Sequence, residues 1–389
     1  MMASFYRMRN GVKNYDWGSR TALNALFAVP NPDEQPQAEI WMGAHPAGCS
    51  EVEVGAISVS LQDAIAESPE TVLGERTVGE FGQLPFLLKL LAAETALSLQ
   101  VHPDKRQAEE GYAKQGNRAG EDYNDANHKP ELVYAITPFM AMNGFRPYQE
   151  IVNHFLRLSS PELMPALAEF RHNLNNGGLK HFFVSLMQLA PQEKNNVLRQ
   201  LNESLQAGGF AHLQEFIIRL QRDYPEDIGI LAPLFLHCIT LEPGEAMFLR
   251  AGTLHAYVNG TAVEVMACSD NVLRAGLTPK KINLPELVNC TVFSETHENT
   301  LKLVPDVAGT ERHYHVPVED FRFSVMGSCQ QKCFEVDSAQ ILLVLEGYTT
   351  LRDTCGEEMT LRAGQSVFIP ARTEAYFLTQ SGQSCLVQC

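Results

Sequence analysis

The segment Leu241-Glu-Pro-Gly-Glu-Ala-Met-Phe-Leu-Arg-Ala-Gly-Thr253 returns 120 residues later as Leu361-Arg-Ala-Gly-Gln-Ser-Val-Phe-Ile-Pro-Ala-Arg-Thr373. Leu, Gly, Phe, Ala and Thr coincide in the two copies. Each copy reads as a glycine turn, a short apolar strand and a bend at proline or glycine. Short strands of this type, used twice, predict two jelly-roll or cupin-like β-barrels. His255 follows the first copy, and Ala375 stands in its place after the second. A metal ligand is therefore expected only in the first barrel, and the second reads as structural or as binding only.

The stretch after the first copy, His255 to Lys280, carries an apolar alternating run at Ala262, Val263, Val265 and Met266. An imidazole, His255, precedes the run, and Asp270, Asn271, Arg274 and Lys280 follow it. The pattern predicts a half-buried strand with a metal-type ligand at one end and an anion clamp beyond the other.

Earlier in the chain, Ala96-Leu-Ser-Leu-Gln-Val-His102 alternates strictly. Leu97, Leu99 and Val101 face one way, and Ser98, Gln100 and His102 the other. Such a polar file is either a solvated face or the inner wall of a barrel. Pro103 ends the strand, and the polar residues 104–127 read as a loop over a site, with a short helical stretch at Ala108 to Gln115. Glu131 then enters an otherwise apolar strand, where a lone carboxylate is costly unless paired or bound to a metal. Near the N-terminus, Trp17, Glu39 and His45 are candidates to line a pocket.

Residues 148–222 change character. Apolar side chains such as Ile151, Phe155, Phe182, Leu201, Ile217 and Leu220 recur at three- and four-residue spacing, which predicts an insertion of several helices. No chemical motif appears in it. The expected architecture is thus mainly β, with two cupin-like barrels and an α-helical domain. The divisions are a first catalytic part at 1–147, the helical insertion at 148–226, a second catalytic part at 227–296 and a C-terminal jelly roll without a metal site at 297–389.

The 389 residues exceed one average domain, and 45% of them are hydrophobic, enough for large cores. The net charge of -16 argues against nucleic acid or an anionic membrane as partner. An anionic substrate must then be held by local cations such as Arg274, Lys280 and Lys129. The sequence shows no signal-peptide pattern and no membrane-length apolar run. Nine scattered cysteines read as reduced, mostly buried thiols of a cytoplasmic protein.

Gln100, His102, Glu131 and His255 are the candidate metal ligands. Two share one strand face, and the other two sit at strand edges in separate segments. Four nitrogen and oxygen donors suit zinc, and a catalytic site would leave one position open for water or substrate.

Tyr123-Asn-Asp-Ala-Asn-His-Lys-Pro-Glu131 and the whole of His255 to Lys280 resemble the signatures of type I mannose-6-phosphate isomerases. Gln100-Val-His-Pro103 and Ala38 to Pro46 are similar to that family too. The resemblance spans the chain and implies a zinc enzyme, with one ion per subunit, that interconverts mannose 6-phosphate and fructose 6-phosphate. It implies zinc ligation by Gln100, His102, Glu131 and His255, an active-site role for Arg274, and contact of Ser98 and Lys280 with the sugar phosphate. Such an isomerisation moves a proton between C1 and C2 through a cis-enediol. His128, Lys129 and Asp270 are the candidate proton carriers, and the sequence does not choose among them. A small-molecule sugar phosphate is the expected partner, with no nucleic acid and no membrane, and a monomer is expected. Two alternatives stand beside this reading: a non-catalytic sugar-binding cupin protein, and an isomerase of an unphosphorylated sugar.

Overall fold

The structure is a computed structural model that describes residues 3–54, 57–116, 120 and 122–389. Among the described residues the strands form two antiparallel sheets, one of eleven strands and one of ten. Both sheets run as open paths, so neither expected barrel closes into a hydrogen-bonded ring. Short strands end the paths, Gly11–Lys13 in one sheet and Asp306–Ala308 in the other. Such short edges leave few unpaired backbone groups for another chain to join.

The hub of the ten-stranded sheet is the 13-residue strand His255–Ala267. Its first half pairs with Phe139–Phe145, and its second with Phe86–Ala93 and Glu131–Ala135. Gly260 sits at the switch. Its backbone has a φ of +122°, and a Cβ there would stand 2.5 Å from the Pro138 carbonyl oxygen. Only glycine lets the backbones approach that closely while the strand changes partners.

The internal repeat is present in three dimensions. Gly244 and Gly364 both take positive φ, at 91° and 81°. The strands Ala246–Leu249 and Ser366–Ile369 follow them. His255 and Ala375 then each open a long strand, of 13 and 14 residues. The N-terminal strand Tyr6–Arg9 pairs with the second copy, with Tyr6 opposite Phe368, and so extends the C-terminal sheet rather than the sheet of His255. One apolar core, including Phe86, Leu132 and Val265 from one sheet and Phe323, Leu343 and Phe368 from the other, lies between the two.

The helical insertion comprises Tyr148–Leu158, Met164–His172, Asn176–Met187, Pro191–Gln206 and Gln214–Asp223. Its apolar stripes bury Phe155, Phe182, Leu201 and Ile217 in a core that continues into Val101 and Leu273 of the sheet and Leu277 just beyond it. Burying each of these side chains contributes about 2 kcal/mol. The insertion therefore backs directly onto the strands that carry Gln100 and Arg274.

Two expectations need correction. The strand expected from Ala96 to His102 contracts to Leu99–Val101. Side chains from the insertion take the backbone groups of Ala96: its N–H donates to Asp223 Oδ2 at 3.1 Å, and its carbonyl accepts from the Tyr224 hydroxyl at 2.8 Å. The segment 104–127 does not cover the cleft in its described residues. Its helix, Lys105–Lys114, is closed by an Asp104–Gln107 capping box. It then packs on the Leu284–Cys290 helix, through Gln107 to the Asn289 carbonyl at 3.0 Å and Tyr123 to Glu286 at 2.9 Å. Residues 117–119 and 121 of that segment lie outside the described residues.

All nine cysteines are unpaired, three of them buried, four half-buried and two exposed. Among the described residues no helix is long and apolar enough to cross a membrane.

Candidate active site

Three strands set a row of side chains across the ten-stranded sheet. Gln100 on the Leu99–Val101 strand lies opposite His255 on one side and opposite Arg274 on the other. Directly paired residues point to the same face of a sheet. A metal-type imidazole, an amide and a guanidinium are thereby lined up in register. The expected common face of Ser98 and Gln100 is present, since the Ser98 hydroxyl donates to Gln100 Oε1 at 3.1 Å.

His102, Glu131 and His255 converge at one end of this row. Their donor atoms lie within 4.8 Å of one another, and all three side chains are buried. His102 Nε2 stands 3.2 Å from Glu131 Oε1, and His255 Nε2 stands 3.6 Å from Glu131 Oε2. Gln100 Nε2 approaches His255 Nε2 at 3.4 Å. Each imidazole is held from behind. His102 Nδ1 donates to the Asn271 carbonyl at 2.7 Å, and His255 Nδ1 to the Thr253 carbonyl at 2.8 Å. That fixes the tautomer and turns both Nε2 lone pairs inward.

The electrostatics agree with a cation site. Burial pushes His102 below its ordinary range and His255 down to about 4, so both rings are neutral. Burial alone would raise the Glu131 carboxyl, but Lys129, 3.2 Å away, outweighs it and holds the group well below the usual carboxylate range. The Tyr257 hydroxyl donates to Glu131 Oε2 at 2.8 Å. Burial, then Glu131, raises the phenol, so it stays a donor. His102 Nε2 is nevertheless a buried nitrogen without a hydrogen-bond partner. A buried polar atom of this kind calls for an explanation. Two inward lone pairs facing an ionised carboxylate are the donor set of a divalent metal ion, and zinc fits them.

This group opens into a cleft of about 740 Å³. Lys129, Asp270, Arg274, Lys280, Ser98 and Trp17, all read from the sequence, line it. Among the described residues, no hydrogen bond or ion pair reaches the Arg274 guanidinium. Asp270 sits at the rim, 41% exposed, with one carboxylate oxygen 3.6 Å from His45 Nε2.

His128 is a correction. Its ring does not line the cleft, and its Nε2 meets the Asp320 carboxylate at 3.0 Å instead. Asp320 is a buried residue just before the Arg322–Met326 strand of the other sheet, so burial of that carboxylate draws the imidazole toward it.

Sequence reasoning missed Lys89, Glu264 and Tyr257, and did not connect Glu39 to them. Lys89 Nζ binds Glu264 Oε2 at 2.7 Å and stands 3.8 Å from Glu39, all three buried on the wall of the cleft. Burial alone would lower the Lys89 ammonium, but Glu264 and Glu39 outweigh it and hold it above its ordinary value. The signal was present in the apolar runs themselves. A lysine in Pro85 to Ala92 and a glutamate in Ala262 to Ala267 fall opposite each other in register.

This chain belongs to the type I phosphomannose isomerase family. Residues 5–148 match the catalytic domain of type I phosphomannose isomerase, 160–236 its helical insertion domain, and 310–388 the mannose-6-phosphate isomerase cupin domain. The chain is similar to the mannose-6-phosphate isomerase of Escherichia coli K12, with 44% identity over 94% of each chain. It is 36% identical to the rat mannose-6-phosphate isomerase over 92% of each. Among solved structures, a zinc-bound mannose 6-phosphate isomerase superposes with a TM-score of 0.94, at 41% identity and 99% coverage of both chains.

Proposed function

We propose that this protein interconverts D-mannose 6-phosphate and D-fructose 6-phosphate, with one zinc ion held by His102, Glu131 and His255 and by the amide of Gln100. The observation that carries the reading is the pairing of a buried metal-type donor group with an uncompensated guanidinium in the same cleft. A half-buried cation without a counter-charge is costly unless the ligand supplies the anion. A phosphorylated sugar does so, and a neutral sugar does not.

Arg274 and Lys280 bind the phosphate, Arg274 with its planar fork and Lys280 as a point charge at the mouth. Ser98 orients the same end of the substrate. When bound, zinc polarises the sugar's carbonyl and hydroxyl oxygens. The proton between C1 and C2 is carried by Glu264. Burial raises its carboxyl above the usual range against the pull of Lys89, the direction that favours proton abstraction by a carboxylate. Lys89, 2.7 Å away, balances the charge as the proton leaves and returns. Lys129 keeps Glu131 ionised, and Asp270 closes the rim. The protein works as a monomer in the cytoplasm.

The test is turnover of mannose 6-phosphate beside mannose at equal concentration. Formation of fructose 6-phosphate with no fructose from mannose supports the reading. Equal turnover of both sugars would overturn the phosphate assignment, and turnover of neither would return the protein to a sugar-binding role.

A further inference from the structure

The helical insertion sends its last residues, not its core, to the cleft. Asp223 and Tyr224 hold both backbone groups of Ala96, two residues before Ser98. Three residues beyond Tyr224, Asp227 does the same for the turn that follows the neighbouring strand, whose Gly276 pairs with Leu99. Its Oδ1 accepts the Gly229 N–H at 2.7 Å, and its Oδ2 accepts the Thr278 N–H at 3.3 Å. Thr278 in turn accepts the Lys280 N–H on its hydroxyl at 3.2 Å.

The turn held in this way is not one the backbone would choose alone. Leu277 has a φ of 53°, a left-handed conformation costly for a branched side chain, and is fully buried at 0% exposure. The packing around it leaves no slack. A Cβ at Gly276 would stand 2.9 Å from Asp227 Oδ1, and a Cβ at Gly229 would stand 2.8 Å from Leu277 Cγ. Carboxylate, turn and insertion interlock, while Asp227 itself does not line the cleft.

Resting on the reading of Arg274 and Lys280 as a phosphate clamp, we infer that Asp227 is a positioning residue for phosphomonoester binding. It fixes the Gly276–Lys280 turn in its left-handed form and so sets the spacing between the Lys280 ammonium and the Arg274 guanidinium. The helical insertion thereby takes part in substrate recognition from behind the site.

Asp227→Asn tests this with little change of shape. One oxygen remains for the shorter Gly229 bond, and an amide N–H then faces the Thr278 N–H. The expected result is a rise of about fivefold in both KM for mannose 6-phosphate and the inhibition constant of inorganic phosphate, the worth of one lost hydrogen bond. kcat stays within about twofold and zinc content holds, while the unfolding midpoint falls by only a few degrees, as the loss of one hydrogen bond requires. Asp227→Ala should move the same two constants further. Unchanged KM and phosphate inhibition, or a fall in kcat alone, would overturn the inference. Lys280→Ala serves as the reference. If it raises both constants while Asp227→Asn does not, only the positioning role falls. If Lys280→Ala raises neither, the phosphate reading of that end falls with it.

Discussion

Gln100 and His255 face each other as direct cross-strand partners, with the amide nitrogen 3.4 Å from the imidazole Nε2. The neighbouring pairing, Gln100 to Arg274, joins the His102–Glu131–His255 group to the guanidinium proposed to bind phosphate through a single residue. Gln100→Ala should therefore weaken zinc binding by more than about tenfold, since even partners one shell further out contribute that much. Competition with a chromogenic chelator measures it. Wild-type affinity in the variant would remove Gln100 from the donor set.

Tyr257 holds Glu131 from the side opposite Lys129. Tyr257→Phe removes the donor at 2.8 Å from a fully buried carboxylate oxygen. A buried acceptor left unpaired costs about 1–3 kcal/mol. The unfolding midpoint of the zinc-loaded protein should drop accordingly. An unchanged midpoint would mean that the hydroxyl is not part of the support.

Glu264 is assigned the proton transfer, so Glu264→Gln should lower kcat by about 10²- to 10⁴-fold, with KM for mannose 6-phosphate little changed. The amide still accepts from Lys89, so the fold should survive. A kcat within a few-fold of wild type would move the proton transfer to Lys129 or Asp270.

The metal-free protein should lose stability on mild acidification. His255 is ordinarily near 6.5 but is pushed to about 4 by burial. Between those values the unfolded chain binds the extra proton, so stability falls as pH drops from about 6.5 toward 4 and is flat in this term above 6.5. Glu131, held well below its ordinary 4.5, adds a loss in the same direction only once the pH falls to about 4.5 and below. Thermal unfolding of the apoprotein across this range checks it. A midpoint that is constant or rises on acidification would contradict the neutral, buried imidazole.

Much of this was legible in the residues. The repeat gave both glycine turns and the short strand after each, and the three- and four-residue apolar spacing gave the helical insertion. The alternation around Gln100 placed the polar file correctly. What the sequence hid depends on distance along the chain. Lys89 and Glu264 are 175 residues apart, and each looks misplaced in an apolar run until the register pairs them. His128 sits within a telling motif, yet the partner that decides its direction, Asp320, belongs to the other sheet. The length of the Gln100 strand was lost for a similar reason, because side chains of the insertion claim the Ala96 backbone.

The central claim is that a divalent ion in the His102–Glu131–His255 group makes the cleft an isomerase. The most direct measurement is the rate of fructose 6-phosphate formation from mannose 6-phosphate before chelation, after chelation, and after return of one equivalent of zinc. Loss of turnover on chelation and its recovery with zinc is the predicted result. Full activity in protein shown to be free of metal would contradict it.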